Sequence, residues 1–406
     1  MNVLFLSTWF PWPPDNGSKI RVYYLLRALS EHHQVTLASF AFGTAEPNDA
    51  HDPLSFCAGV HVVRANPFDG NRTPSVVRFL SPDPVVTHAL PQMSQTVREL
   101  FSQEHFDVVI ASIEVVAVYA FLAPDPTAMV LEEHNSLARW MWDRYRLQTS
   151  PLQRLRCWVS WRKSCHYEAR LFPRFDLCTM VSEIDRNASL EMLPGYRGPV
   201  EVIPNGVDCQ RNRPGLAQPK PDTLIFNGAL TYYANHDAMR YFLAEIYPGV
   251  RQQVSNASLT ITGDTSGVRL TDLQLDDSVH LSGYVDDIRP VIAGATVCVV
   301  PLRQGSGTRL KILEAMALGT PVIATTKGAE GLDVTPGQDI LIADEPTEFG
   351  NQVIRLLRDA ALREQLAFNA RRLVERCYDW QQIGRNFVNL VEAAANKPHR
   401  KRHDDR

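Results

Sequence analysis

Residues Thr296–Val322 read TVCVVPLRQGSGTRLKILEAMALGTPV. The first seven, TVCVVPL, have the length and apolar content of a strand buried on both faces. A loop, RQGSGT, follows, in which Gly305 and Gly307 let the backbone approach a ligand closely. The helical pattern LKILEAMALG comes next, and then a second apolar run, PVIATT. Strand, glycine loop, helix and strand make one βαβ unit. The first amides of its helix have no intrahelical partner and favour an anion. Arg309 can fork two oxygens of a diphosphate, and Lys311 adds a point charge. Glu314, one turn further in, can accept hydrogen bonds from a pair of ribose hydroxyls. The plainer alternative is a surface helix start, with Glu314 capping amides and Arg309 solvated; a glycine-rich turn alone does not separate the two.

The same grammar runs through the chain. Short apolar runs bounded by turn residues recur as NVLFLST, VTLASF, VHVVRA, VVIAS, MVLEEH and LCTMVS in the first half. In the second half they are TLIFNGAL, LTITGD, VHLSGYV, TVCVVPL, PVIATT and DILIAD. Helical patterns lie between most of them, which implies parallel sheets built from βαβ units. The expected fold class is therefore α/β, with two Rossmann-like domains in tandem. Pro, Gly and Asn accumulate in VIPNGVDCQRNRPGLAQPKPD, where periodicity is lost, so a linker is expected there. Domains are drawn at 1–208 and 209–379, with a helix over 380–396 returning to the first and a charged tail over 397–406. Ligands of open α/β sheets sit at the carboxyl ends of strands, so a cleft between the two sheets is the expected site.

The composition narrows the function classes. The chain has 406 residues, 45% hydrophobic and 21% charged, which is ample core material for two or three domains. The formal net charge of -4 gives no global attraction to nucleic acid. Seven cysteines, scattered and never in a CxxC pair, predict reduced cytosolic thiols; neither a disulfide framework nor a metal site is suggested. MNVLFLSTWF has no basic leader and reads as a first buried strand, and no apolar run is long enough to span a membrane. A cytoplasmic protein is expected.

GSGTRLKILEAMALGTPVIAT followed by GAEGL resembles the donor-binding signature of retaining, family 4 glycosyltransferases with the GT-B fold. Nearly the full chain agrees in order. FLSTWFPWPPDNGSKIRVYYLLRAL resembles the family's first strand, glycine loop and helix, and EEHN, VSEID and VIPNGVD its middle landmarks. FNGALTYYANHDAM resembles the first strand-loop-helix of its donor domain, and LSGYVDDI its base-contacting loop. The resemblance implies transfer of a hexose or N-acetylhexosamine from a nucleotide diphosphate sugar, first of all a UDP-sugar, without a metal or other cofactor. It implies nucleotide-sugar contacts at Gly17, Ser18, Gly228, Gly283, Tyr284, Val285, Gly305, Ser306, Gly307, Thr308, Leu310 and Glu314. Two departures stand out. Many members carry two glutamates eight residues apart; Glu314 fits the second, and the first falls on Ser306. Many also place an Arg and a Lys after the first donor-domain strand, where this chain has GALTYYANHD. Arg309 and Lys311 then supply the diphosphate charge, as in a branch of the family with a GxGTRxK loop. Ser306 also keeps open a non-catalytic sugar-nucleotide-binding subunit, and an epimerase on the same fold is a further alternative.

In the first domain, Asp15 or Asn16 is the expected cap of a helix beginning at Gly17 and Ser18, whose amides can face a donor phosphate; the plainer alternative leaves Lys19 and Arg21 in solvent. A lone His at a strand end is more often structural, but EEHN places His134 with Arg309 and Lys311 among the catalytic candidates, in contact with the donor sugar. Glu133, which can orient His134 or bind acceptor, joins Asn135 and Glu114 as acceptor candidates. Residues 139–174 interleave many Arg with Trp140, Trp142, Trp158 and Trp161. One reading is a long helix with buried Trp and solvated Arg; the other is peripheral contact with anionic lipid on the inner face of the cell membrane. Nucleic acid is not an expected partner.

Overall fold

A computed structural model describes residues 1–42, 54–68, 81, 88–193, 195–305, 307 and 309–397. The chain divides into two compact units, one comprising Met1–Pro204 with Ile383–Arg406 and the other Asn205–Gln382.

The first unit opens with β1 (Asn2–Ser7), α1 (Gly17–Ser30), β2 (Gln34–Ala41) and β3 (Gly59–Arg64). It continues through α2 (Pro91–Gln103), β4 (Val108–Ser112), α3 (Glu114–Ala120) and β5 (Ala128–Glu132). Then come α4 (Leu137–Leu147), α5 (Pro151–Leu171), β6 (Leu177–Met180), α6 (Glu183–Met192) and β7 (Val200–Val202). The seven strands pair in the order β3-β2-β1-β4-β5-β6-β7, all parallel. β1, β4 and β5 are almost wholly buried, as their unbroken apolar runs require. β7 was not expected; VEV is too short and too polar to stand out. The basic stretch 139–174 is two helices, not one. Pro151 occupies the first turn of α5, where its missing N–H is harmless, and it biases Ser150 away from helix.

The second unit contains β8 (Thr223–Asn227), α7 (Tyr233–Tyr241), α8 (Tyr247–Gln253), β9 (Ser258–Thr262) and β10 (Val279–Gly283). It goes on to α9 (Arg289–Ala293), β11 (Val297–Val300), α10 (Leu310–Leu318), β12 (Val322–Ala324), β13 (Leu341–Ile342), α11 (Pro346–Arg358) and α12 (Ala360–Cys377). Its sheet order is β10-β9-β8-β11-β12-β13, again all parallel. Each sheet reverses its order beside its first strand, between β1 and β4 and between β8 and β11. Those are the two topological switch points at which such sheets bind ligands.

The last helix, α13 (Trp380–Ala395), belongs to the first unit from Ile383 onward. Gly384 meets Ala28 of α1 so closely that a Cβ at Gly384 would lie 2.5 Å from that of Ala28. His33 and Glu392 stand 3.1 Å apart in the same packing. No helix among the described residues is long and apolar enough to cross a membrane.

Candidate functional site

In the first unit, α1 starts at Gly17 and Ser18, and Asn16 caps it by accepting from the Lys19 amide at 3.1 Å. Lys19 pairs with Asp15 at 3.0 Å and is nearly buried. Arg21 is wholly buried, so neither cation is in solvent as the plainer reading of this helix had it. The reason is a carboxylate on another strand: Arg21 Nε donates to Glu132 Oε1 at the end of β5. Arg21 also donates to the carbonyls of Ile203 at 2.8 Å and Pro204 at 3.1 Å.

Glu132 is a hub. Its other oxygen accepts from Ser112 Oγ at 2.8 Å and lies 3.2 Å from His134 Nε2, and Ser112 Oγ is 3.0 Å from the same nitrogen. Trp9 stacks on the His134 ring at 6.1 Å between centroids. Burial alone would push the Glu132 carboxyl up, but the Arg21 charge and the His134 contact hold it well below the usual carboxylate range. Glu132 was missed in the sequence, although a signal was there. Strand side chains alternate, so in LEEH the residue on the face of His134 is Glu132 and not Glu133.

Glu133 turns the other way and meets Glu114, the first residue of α3. Burial raises both carboxyls, and their mutual proximity raises Glu133 further. Glu168 of α5 is also buried, accepts from the Ala138 amide at 3.2 Å, and is pushed up to about 8, by burial first. One oxygen each of Glu133 and Glu168 is buried without a hydrogen-bonding partner among the described residues, which suits a polar ligand or water. Between Ser112 and Glu114, Ile113 holds φ at 71°. A β-branched residue there carries strain on the order of 1–3 kcal/mol, of the kind that gathers at functional sites. Thus Glu114, Glu133 and His134 come together at the carboxyl ends of β4 and β5. Asn135, half-buried, follows in the same loop.

In the second unit, β11 runs into the glycine loop. Gly305 and Gly307 have φ of 102° and 83°, a conformation that side chains resist. Ser306 and Thr308 lie outside the described residues. α10 begins at Leu310, and Arg309, in its N-cap position, makes no side-chain capping hydrogen bond. Arg309 is nearly buried and folds back, its guanidinium donating to the Gly305 carbonyl at 2.8 Å. It braces the loop as well as charging it.

Lys311 reaches across from α10 to the end of β8. Its Nζ donates to Asn235 Oδ1 at 2.9 Å and sits 3.9 Å above the Phe226 ring. It would lie 2.6 Å from a Cβ at Gly228. Burial pushes this ammonium down to about 7. Glu314 accepts from Asn227 Nδ2 at 2.9 Å, and burial pushes its carboxyl up to about 7. Gly228, Arg309, Lys311 and Glu314 thus belong to one neighbourhood at the β8–β11 switch point. Gly283 ends β10, on the far side of β9, and exposed Tyr284 and half-buried Val285 follow it. Asn227 and Asn235 were missed; each matters only through a partner 87 or 76 residues away. Among the described residues no group of three or more His, Cys, Asp or Glu is arranged to hold a metal ion.

Two family models match the chain. One described as Glycosyltransferase Family 4 covers residues 15–211, and one described as Glycosyl transferases group 1 covers residues 221–359. A phosphatidyl-myo-inositol mannosyltransferase of Mycobacterium leprae is 29% identical over 225 residues, 53% of this chain and 58% of that protein. A GDP-mannose-dependent monoacylated alpha-(1-6)-phosphatidylinositol monomannoside mannosyltransferase of Corynebacterium glutamicum is 25% identical over 48% of this chain and 56% of its own length. The chain spans about half the length of the curated relatives it matches. The fold agrees with that of Anabaena HepE, crystallised in complex with UDP-glucose, at a TM-score of 0.67 and 17% identity over 97% of this chain and 100% of that one. It agrees equally with sucrose-phosphate synthase from Thermosynechococcus elongatus, at a TM-score of 0.69 and 19% identity over 97% and 98%. With two GT-B-type parallel sheets and family matches over both units, the chain belongs to the family 4, group 1 glycosyltransferases.

Proposed function

We propose that the protein transfers a sugar from a nucleotide diphosphate sugar, first of all a UDP-sugar, to a hydroxyl acceptor with retained anomeric configuration. The observation that carries this reading is Lys311. Its ammonium stands against Gly228 at the end of β8, beside the GALTYYANHD stretch that has no Arg or Lys of its own. The glycine loop and the start of α10 stand beside it. In the step proposed, the bond from C1 to the leaving phosphate oxygen breaks and a bond from C1 to the acceptor oxygen forms on the same face. The acceptor proton passes to the leaving phosphate, so the products are a glycoside and a nucleoside diphosphate. No protein nucleophile is required, and the protein acts by positioning and by stabilising negative charge.

Arg309, Lys311 and the loop amides carry the diphosphate charge without a metal. Glu314 holds the ribose, with Asn227 fixing one of its oxygens. His134, steadied by Glu132, touches the donor sugar, while Glu114, Glu133 and Asn135 receive the acceptor. HepE is described with UDP-glucose and the Corynebacterium relative as GDP-mannose-dependent, so the base is what the first experiment must decide. The purified protein is incubated with UDP-, GDP-, ADP- and dTDP-sugars in the presence of EDTA, and release of the nucleoside diphosphate is followed. Slow release from the UDP-sugars, unaffected by EDTA, is expected. Release from GDP-sugars alone overturns the choice of base, and release from none supports a non-catalytic binding subunit.

A further inference from the structure

We propose that the hairpin of α4 and α5 docks on an anionic lipid surface through its tip. The two helices are stapled together near the middle by Trp142 and Trp161, whose rings lie 4.7 Å apart. At the base, Arg139 of α4 pairs with Asp185 of α6 at 3.0 Å. Beyond the staple, Arg154 lies over the Tyr145 ring at 4.9 Å, and the tip stays exposed to solvent. Pro151–Arg156, the first turn and a half of α5, are exposed at every position.

What the tip exposes is unusual for solvent. Leu147 is 53% exposed, Leu152 68%, Leu155 54% and Trp158 43%. Leu152, Leu155 and Trp158 follow a three-residue spacing and share one side of the helix. Arg144, Arg146, Arg154 and Arg156 are exposed among them. From Leu137 to Tyr167 the only acidic residue is Asp143, in a chain whose formal net charge is -4.

This combination selects the partner. Leucines offer nothing for bases to stack on, which disfavours a single-stranded nucleic acid. A second copy meeting tip to tip would set one cluster of arginines against another. A lipid headgroup layer accepts both components. Leucines and a tryptophan enter the acyl boundary, while arginine stems lie along apolar surface and keep their charge among phosphates. Each cation near such a surface is worth roughly fivefold in partitioning. The inference stands apart from the transfer reaction, because it needs neither donor nor acceptor.

The full chain is sedimented with vesicles of phosphatidylcholine and with vesicles containing about 30% phosphatidylglycerol. We expect binding to the anionic vesicles stronger by about tenfold or more, weakening as salt rises. Tryptophan emission should shift to the blue with lipid, and Trp158→Phe should remove most of the shift. Leu152→Ser with Leu155→Ser, and separately Arg154→Gln with Arg156→Gln, should each lower binding at least about fivefold while leaving thermal unfolding unchanged. Equal partitioning into neutral and anionic vesicles would overturn the proposal. So would undiminished binding by both double variants, or binding of a single-stranded oligonucleotide in place of vesicles. A concentration-dependent dimer that the leucine variants abolish would assign the tip to a second copy instead.

Discussion

Arg21 and Glu132 show what a single residue can decide. They are 111 positions apart, both fully buried, and joined by a charged hydrogen bond. Breaking one side of such a pair strands the other charge in the interior, at about 3–5 kcal/mol. Arg21→Met should therefore destabilise the chain by that amount in urea unfolding. Arg21→Met combined with Glu132→Gln should recover part of it, since no lone charge then remains. A loss below about 1 kcal/mol for the single variant would mean the pair is weakly held. Nothing local announces this partnership. Arg21 reads as one more cation on an amphipathic helix, and the strand that answers it is far along the chain. Lys19, whose partner Asp15 is one helical turn away, lay within reach of local reasoning.

The carboxyl group of Glu168 makes a pH statement. Burial keeps its proton in the fold up to about pH 8, whereas an unfolded chain releases it near its usual value of 4.5. Between those two pH values the folded state binds more protons, so stability is greatest on the acid side and falls as pH rises. Glu114 and Glu133, raised by the same burial, act in the same direction. Glu168→Gln should flatten the decline of melting temperature between about pH 5 and pH 8. An unchanged slope would show that Glu168 titrates as a solvated acid.

At the scale of elements, the loop before α10 was the most legible part of the chain. Its glycines adopt the left-handed backbone that makes them necessary, and its helix starts where the pattern of apolar residues places it. The directions of the two cations were not legible. Arg309 turns back onto Gly305 and Lys311 crosses to β8, because the loop carbonyl and Asn235 offer acceptors that the local sequence does not reveal. As charge grows on a departing diphosphate, both should matter more for turnover than for donor affinity. Arg309→Ala and Lys311→Ala should each lower kcat about 100-fold or more, with a smaller change in KM. The double variant should fall short of the product of the two, as expected of groups serving one anion. Near-normal kcat in both would leave the cations as a loop brace and a helix start. The hairpin of α4 and α5 illustrates the opposite case. Charge and tryptophan marked the segment, but Pro151 was overlooked as a break, and only three-dimensional packing separates Trp142 and Trp161 from the exposed Trp158.

For the molecule as a whole, buried strand runs separated by helical patterns were enough to indicate two parallel α/β sheets, since few other arrangements cover both faces of such strands. The strand order within each sheet was not legible locally, and it is the order that brings Asn227 at the end of β8 next to α10. Binding of a nucleotide in the second unit is the claim on which the rest depends. The direct test is the affinity for UDP of the wild-type chain and of Glu314→Gln, measured by calorimetry alongside thermal unfolding without ligand. Glu314 is partly buried and its carboxyl is raised toward neutral pH, so a neutral amide should not lower stability. UDP should bind the wild type and, at 100 times its Kd, add about 2.7 kcal/mol of stability. The variant, folded as well as the wild type, should bind more weakly by about 1.5–3 kcal/mol, the worth of a hydrogen bond to a charged group. Equal affinity in both proteins, or no binding of UDP to either, would contradict the account.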